Sequence, residues 1–536
     1  MRHALPTRTR QENDMYITQG LHRHLQQRPD ATAVRYQGRS VTFLELHERI
    51  ARLAGALRKL GMGSGDCVAM LSRNSQRYIE YVFGVPWGGG VLNPVNTRWS
   101  PAEILYSLDD SESTLLIVDD AFVEVGRTVA ERAGSVRAVI YAGDGETPPG
   151  MLSYEGLLAS AAPVEDVRRG GDALLGIFYT GGTTGFPKGV MISHNNLAFA
   201  SYAAMSKDFY RQDTVFLHAM PMFHLADFSA MYGLMVTGGV HAPLPAFSGE
   251  AAVRTILEEG VTDVMLAPTM IQMMLDARDA NPELAQVPLE QIRHVIYGAS
   301  PISPALLDRA CPAFPKAGFY QGYGMTELTT GGTMLDAEYH CTEHQASGKM
   351  YSAGRPVACA EVRIIDDEGN EVPKGRVGEI IVRGPQVMLG YWKKPEATAE
   401  ALRNGWMHTG DGGYMDGEGF VYIVDRLKDM IVSGGENVYS AEVENAIASH
   451  PGVAQCAVIG IPSDKWGESV HAIVILKPGA EVLTEHVIEH CRKRIAGYKC
   501  PRSVEFRSGL PLSSVGKVLK NELRKPFWEK HSRNIA

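Results

Sequence analysis

LLGIFYTGGTTGFPKGV, residues 174–190, decides how the rest of the chain is read. Leu174 to Thr180 is an apolar run of strand length, and the residues after it are dense in turn formers and polar donors. Gly181, Gly182 and Gly185 let the backbone turn tightly and bring amide groups close to a ligand. Thr180, Thr183 and Thr184 add hydroxyls and Lys188 adds a point charge, a donor set suited to a polyphosphate. In isolation such a loop reads as a flexible surface turn, but the concentration of Thr, Gly and Lys behind a buried strand favours phosphate binding. It is not a P-loop, which requires Gly-Lys followed by Ser or Thr, whereas Gly189 and Val190 follow Lys188. Ser193 stands where it would cap a helix beginning in HNNLAFASYAA.

Working outward, residues 41–60 place Leu44, Ile50, Leu53, Leu57 and Leu60 near helical spacing, with Gly61 as a stop. The short apolar runs CVAML (67–71), TLLIVDD (114–120), AVIYAG (138–143), VTDVMLAPT (261–269) and IRHVIYGAS (292–300) read as buried strands. Helix-length segments such as 251–260 separate them. The alternation predicts an α/β architecture of parallel or mixed sheets covered by helices. After about residue 355 the texture changes: EVRIIDDEGNEV and GEIIVRG read as an antiparallel hairpin pair turning at Asp367, Glu368 and Gly369. The remainder reads as a small α+β domain, with a helix over 441–449 and a strand near 456–461. A boundary near Asp425–Lys428 divides a large domain, 1–427, from a small C-terminal one, 428–536.

At 536 residues two or more domains are expected, and 45% hydrophobic with 21% charged residues is ordinary for a soluble globular protein. The formal net charge of −9 argues against a nucleic-acid binder, though not against a local basic pocket for a phosphorylated ligand. No stretch approaches the ~20 apolar residues of a membrane span. MRHALPTRTRQENDMY has no apolar core behind its basic residues, so it reads as a frayed terminus rather than a secretory signal. The cysteines Cys67, Cys311, Cys341, Cys359, Cys456, Cys491 and Cys500 are scattered, odd in number and without a C-x-x-C pair. That argues against a disulfide framework or zinc site and fits a reducing cytoplasm.

The 179–190 loop resembles the signature loop of the adenylate-forming superfamily of acyl-CoA synthetases, adenylation domains and luciferases, usually Thr-Ser-Gly-Thr-Thr-Gly-x-Pro-Lys-Gly. Gly181 stands here where Ser is usual, which removes one hydroxyl and keeps the amides. The resemblance runs in order from about residue 20 to 525. It implies that Gly298, Ala299, Ser300 and Pro301 of YGASP lie along one face of adenine. Gly322, Tyr323 and Gly324 of QGYGMTE would lie against the other. Thr326 would donate to the α-phosphate and Glu327 would help hold Mg²⁺. Asp411 of HTGD and Arg426 of VDRLKD would bind the ribose hydroxyls, with Ile423 nearby. Lys517 of PLSSVGKVLK would neutralise charge between carboxylate and α-phosphate. Read without the resemblance, Tyr323 is a core tyrosine, Glu327 a helix-capping or solvated carboxylate, Asp411 and Arg426 surface charges, and Lys517 a solvent-exposed lysine.

The chemistry so implied is attack of a carboxylic acid on the α-phosphorus of Mg-ATP, then capture of the acyl-adenylate by the thiol of coenzyme A. Lys428 matches the family's hinge. Gly434 and Gly435 would leave width for the pantetheine arm, and Asn437 would lie near the AMP phosphate. Ser440 replaces a usual Pro and reads as the start of a helix. PMFHLADF (221–228) resembles the acyl-site segment. His224 reads equally as a residue that orients the acyl group or as a satisfied core histidine, and Asp227, Phe228 and Met231 are candidates further down. Gly322 and Gly324 with TTGGT (329–333) suggest uncrowded walls, admitting a medium or long aliphatic chain or an aryl acid. The alternative acceptor is a carrier-protein phosphopantetheine. A luciferase-like oxidation and a silent nucleotide-binding scaffold rank lower, the latter because Lys188, Glu327 and Lys517 are all present. Homodimerisation is a family-level expectation.

Overall fold

The run Leu174–Thr180 forms a strand inside an eight-stranded sheet. The computed structural model describes residues 14–180, 187–285, 287–298, 300, 302–340, 347–426, 429–433, 436–463, 465–512 and 518–529, with 425, 426 and 437 described in backbone only. Two compact units emerge, one of Met1–Glu361 with Val382–Met407, the other of Val362–Ile381 with His408–Ala536.

In the larger unit the eight strands stand in the order Gly390–Tyr391, Lys188–Ser193, Leu174–Thr180, Val91–Pro94, Cys67–Leu71, Leu115–Val118, Ala138–Tyr141 and Leu152–Ser153. Neighbours are parallel from Leu174–Thr180 to Leu152–Ser153, and the first two strands run antiparallel to their neighbours. Every residue of Cys67–Leu71, Val91–Pro94 and Leu115–Val118 is buried. Helices cover both faces of a parallel sheet, so its strands read as unbroken apolar runs rather than alternating ones. That is why CVAML is legible as a strand to the residue.

A second sheet of nine strands runs Arg355–Pro356, Thr333–Leu335, Gly318–Tyr323, His294–Gly298, Asp263–Leu266, Val215–His218, Val240–Pro243, Thr32–Tyr36 and Arg39–Thr42. It is parallel from Gly318–Tyr323 to Thr32–Tyr36 and antiparallel at both margins. Leu217, Val253, Ile256, Val264, Val295 and Phe319 are among the residues of its core. These are the helix-covered parallel and mixed sheets expected.

The helix expected over 41–60 is Phe43–Lys59, closed by a capping box of Thr42 and Glu45. Its buried stripe is Phe43, Leu46, Ile50, Leu53 and Leu57, whereas Leu44 is 49% exposed. The structure thus corrects the placing of Leu44: Phe43 and Leu46 keep the three- and four-residue spacing to Ile50, and Leu44 points outward.

The second unit is the small α+β body expected. Strands Val453–Ser463 and Gly467–Leu476 form a long antiparallel pair, with Ser503–Phe506 added parallel to the latter. Helices Ser440–Ala448 and Thr484–Arg492 contribute Val443, Ile447 and Val487 to its core. Strand Glu361–Ile365 neighbours Gly378–Arg383, and a bridge from Ile365 to Glu371 closes the expected turn, with Gly369 at φ +86°. Among the described residues no helix is long and apolar enough to cross a membrane. Among the described residues, Cys67, Cys311, Cys359, Cys456, Cys491 and Cys500 take part in no disulfide.

Candidate active site

Lys188 and Thr180 are register partners of the antiparallel pair Leu174–Thr180 and Lys188–Ser193, so the glycine-rich segment joins two strands. A P-loop leads into a helix; here a full strand intervenes before helix His194–Met205, in agreement with the motif's absence. Ser193 caps that helix as expected: its side chain accepts from Asn196 N at 3.1 Å, and Asn196 Oδ1 accepts from Ser193 N at 2.9 Å. Gly181, Gly182, Thr183 and Thr184 lie outside the described residues. The stem is anchored by Tyr179, whose hydroxyl donates to Asp110 Oδ2 at 2.7 Å, with burial and Asp110 raising its pKa.

The Lys188 ammonium lies 5.0 Å from the centroid of the Tyr391 ring, and the Tyr391 hydroxyl donates to Glu327 Oε1 at 2.8 Å. The fold thus joins two residues expected to act on phosphate and metal through a third that sequence reasoning missed. Its only signal was an aromatic in LGYWKKPEAT, which alone reads as core.

The two expected adenine segments occupy adjacent parallel strands, His294–Gly298 and Gly318–Tyr323, with Tyr297 opposite Gln321 and Gly298 opposite Gly322. Both chains therefore leave the sheet at the same carboxyl edge, where α/β folds bind ligands. A Cβ on Gly298 would stand 2.8 Å from the Gly322 carbonyl oxygen, while one on Gly322 would find nothing nearer than Tyr297 O at 4.0 Å. Among the described residues, Gly322 has room beside it.

Gly324 is exposed, but a Cβ there would fall 2.1 Å from the Thr330 carbonyl oxygen, so the chain itself demands glycine at this position. TTGGT is likewise a tight reversal, with Thr329 at φ +47° and Thr330 at φ +69°, a region β-branched residues avoid. Thr329 Oγ1 donates to Gln386 O at 2.7 Å and Gln386 Nε2 to Gly331 O at 3.1 Å, which holds the reversal in place. Ser300 is exposed; Ala299 and Pro301 lie outside the described residues. Tyr323 is half-buried at the end of its strand.

The Tyr297 hydroxyl meets His340 Nε2 at 2.8 Å, and His340 Nδ1 lies 3.1 Å from Asp336 O. A carbonyl only accepts, so Nδ1 carries the proton and Nε2 accepts from the tyrosine. Burial pushes the His340 pKa down to about 4, which keeps the ring neutral.

Thr326 and Glu327 open the short turn Thr326–Leu328 directly after the Tyr323 strand. Glu327 is 7% exposed, and its carbonyl accepts from Met388 N at 2.9 Å. Among the described residues no group of three or more His, Cys, Asp or Glu is arranged to hold a metal. A single carboxylate oriented by a tyrosine fits magnesium that arrives on nucleotide phosphates and keeps several waters; an all-protein cage is not needed.

His224 is the N-cap of helix Leu225–Thr237, its ring centroid 4.2 Å from that of Phe223. Burial, and secondarily Arg98, lowers its pKa to about 3. Asp227 is fully buried and accepts from His218 Nδ1 at 2.7 Å, with His218 Nε2 2.9 Å from His241 Nδ1. This core polar cluster partners one Asp227 oxygen, while Oδ1 is buried with no hydrogen-bond partner among the described residues. Phe228 packs edge-on to Phe178 at 4.8 Å, and Met231 is fully buried.

In the second unit, Asp411 and Arg426 are register partners across strands Trp406–Met415 and Val421–Arg426, so the two residues expected at the ribose stand side by side in the backbone. Asp411 is 6% exposed, and its amide donates to Thr409 Oγ1 at 3.1 Å. Gly410, at φ +68°, donates its amide to Glu379 Oε1 at 3.1 Å, which supports the turn of the chain into Asp411. Ile423 is 39% exposed, opposite Gly413. Asn437 pairs with Val432, and Ser433 pairs with Glu436, in an antiparallel pair of strands on either side of Gly434 and Gly435 in sequence. Those glycines, Lys428 and Lys517 lie outside the described residues.

The flanks of Lys517 are described. Leu512 and Val518 form an antiparallel bridge, and helix Lys520–Trp528 follows. Lys520 Nζ donates to the Ser440 hydroxyl and lies 2.8 Å from Glu444 Oε1, so Ser440, where the family usually has proline, gains a partner. Arg524 reaches Asp429 at 3.4 Å.

Comparison with known proteins agrees with this geometry. The model of the AMP-binding enzyme family matches residues 21–392, and that of the AMP-binding enzyme C-terminal domain matches 442–517. A feruloyl-CoA synthase of an Amycolatopsis species is 39% identical over 500 residues, 93% of this chain and 96% of that protein. The fatty acid–[acyl-carrier-protein] ligase ScoC of Streptomyces coeruleorubidus is 35% identical over 516 residues, 96% of each chain. Among solved structures, the o-succinylbenzoate CoA synthetase MenE of Bacillus subtilis in complex with its acyl-adenylate intermediate superposes with a TM-score of 0.83 at 31% identity, covering 95% of this chain and 98% of that one. Two matched family domains and relatives aligned over nearly their whole length lead to one assignment: this chain is an enzyme of the adenylate-forming, AMP-binding acid:CoA ligase family.

Proposed function

We propose that the chain activates a carboxylic acid with ATP to an acyl-adenylate, releasing pyrophosphate, and then transfers the acyl group to coenzyme A, releasing AMP. The register of Gly298 with Gly322 carries the reading: Tyr297 and Gly298 stand beside Gln321 and Gly322 at one carboxyl edge, with room beside Gly322 among the described residues. Adenine lies between Gly298, Ala299, Ser300 and Pro301 on one side and Tyr323, with Gly322, on the other. Thr180, Thr183, Thr184, the amides of Gly181 and Gly182, and Lys188 hold the β- and γ-phosphates. Thr326 donates to the α-phosphate, while Asp411 and Arg426 take the ribose hydroxyls beside Ile423. Glu327 would hold magnesium, which when bound offsets phosphate charge.

In the first half-reaction a carboxylate oxygen attacks the α-phosphorus and the bond to pyrophosphate breaks. Both reactants are anionic, and Lys517 lowers their repulsion as they meet. No protein nucleophile is needed; positioning and electrostatics suffice. His224, held neutral by its low pKa, orients the acyl group without placing a competing cation beside the carboxylate. In the second half-reaction the CoA sulfur, having lost its proton, attacks the acyl carbon, and the bond to AMP breaks. Lys428 is the pivot by which Lys517 departs. Gly434 and Gly435 then admit the pantetheine arm, with Asn437 near the AMP phosphate.

The substrate is a medium- or long-chain fatty acid or an aryl acid, in line with relatives named for feruloyl-CoA and fatty-acid ligation. A second reading, transfer to a carrier-protein phosphopantetheine, is favoured by the 35%-identical relative named for that acceptor. The absence of disulfides among the described residues accords with a reducing compartment. The test is a pyrophosphate-release screen over short, medium, long and aromatic acids, with CoA, with a phosphopantetheinylated carrier and with neither. The proposal expects release with at least one acid and a thioester with CoA. Thioester with the carrier alone would select the second reading.

A further inference from the structure

We infer that Tyr391 is a positioning residue for the nucleotide's metal: its hydroxyl sets the Glu327 carboxylate while its ring holds Lys188. The inference rests on the adenylation reading above and adds to it a residue and a division of labour.

Tyr391 is 8% exposed and fixed from several directions. Its strand, Gly390–Tyr391, pairs antiparallel with Lys188–Ser193, with Tyr391 opposite Val190. Trp392 N donates to Gly189 O at 2.7 Å, and Leu389 N to Met191 O at 2.9 Å. Asn196 Nδ2, from the capped helix, holds Pro385 O and Val387 O at 2.8 Å each, and Tyr391 N donates to Thr398 Oγ1 at 2.9 Å. The same segment holds Glu327 twice, through Met388 N to its carbonyl at 2.9 Å and through the Tyr391 hydroxyl to its carboxylate at 2.8 Å.

Two functions of one side chain arise from its chemistry. The ring face attracts the Lys188 ammonium without accepting a conventional hydrogen bond from it, so the ammonium's N–H donors are kept for phosphate. A carboxylate in that place would compete for them. The hydroxyl donates to one oxygen of Glu327 and so fixes the direction of the carboxylate without neutralising it. Phenylalanine at 391 would keep the first function and lose the second; leucine would lose both.

The test is calorimetric titration with ATP, in Mg²⁺ and in EDTA, of Tyr391→Phe and Tyr391→Leu, each in a Lys517→Ala background so that ATP is not consumed. The hydroxyl's loss weakens MgATP binding roughly tenfold, the scale of a hydrogen bond to a charged group, and leaves ATP binding in EDTA unchanged. Tyr391→Leu weakens binding in both conditions. In a Glu327→Gln background the Tyr391→Phe effect disappears. The thermal midpoint of Tyr391→Phe matches its parent, which separates positioning from general loss of structure. The Phe variant alone decides: binding equal to the parent in Mg²⁺, or weakened equally in Mg²⁺ and EDTA, overturns the inference and leaves adenylation standing. Failure of the Lys517→Ala parent to bind ATP at all overturns the adenylation reading and the inference with it.

Discussion

Gly298 and Gly322 are register partners on parallel strands, yet their surroundings differ: the Cβ missing from Gly298 would collide with the Gly322 carbonyl at 2.8 Å, and among the described residues the Cβ missing from Gly322 would meet nothing nearer than the Tyr297 carbonyl oxygen at 4.0 Å. Glycine at 298 is required by the sheet and glycine at 322 by what lies beyond it. Gly322→Ala should therefore fold with stability within about 0.5 kcal/mol of the parent while losing ATP affinity. Gly324→Ala drives a methyl into the Thr330 carbonyl and should cost about 1–3 kcal/mol, the range for overpacking. Denaturant unfolding and ATP titration of the two variants separate these outcomes. Equal destabilisation would remove the argument for a ligand beside Gly322.

Lys517 comes after Leu512 and just before Val518, the two residues of a strand bridge, and precedes a helix tied to Ser440 and Glu444 through Lys520. Lys517→Ala should nearly abolish acyl-adenylate formation and spare thioester formation from supplied acyl-adenylate, because its charge matters only while two anions approach. Single-turnover assays of each half-reaction check this. Equal loss in both would contradict the division of labour around Lys428.

Buried histidines, His194 and His340 among them, make stability fall in mild acid. His194 Nδ1 accepts from Ile17 N at 3.4 Å and its pKa is lowered to about 3; His340 accepts from Tyr297 and is lowered to about 4. In both cases desolvation is the main cause. Each pKa lies below the unfolded value of 6.5, so the unfolded chain binds more protons in between. The stabilisation is complete above pH ~6.5 and shrinks as pH falls, by about 2 kcal/mol per histidine at pH ~5. Urea unfolding from pH 7 to pH 5 tests it. His340→Gln should flatten part of the slope and, through Tyr297, loosen the segment that begins at Gly298.

Much of this was legible because local chemistry and tertiary context agreed. Cys67–Leu71 and Leu174–Thr180 are strands of a helix-covered parallel sheet, so apolar runs marked them without help from periodicity. Ser193 could be read as a cap because a capping box is a local device. What escaped depends on partners distant in sequence. Tyr391 acquires its role from Lys188 and Glu327, and no local pattern links the three. The partners of Asp227, His218 and through it His241, are nine or more residues away and no local pattern announces them. The need for glycine at 324 comes from the chain reversal at Thr329 and Thr330, which blocks a Cβ there and which two β-branched residues at positive φ would not suggest. Leu44 failed for a smaller reason: one residue of phase moved it off the buried stripe.

The central claim is that this chain joins an acid to AMP before any thiol takes part. Exchange of labelled pyrophosphate into ATP, measured without CoA across the acid panel, tests it most directly. The account predicts exchange that requires both an acid and Mg²⁺ and proceeds in the absence of CoA. No exchange with any acid, or exchange only once CoA is added, would contradict it.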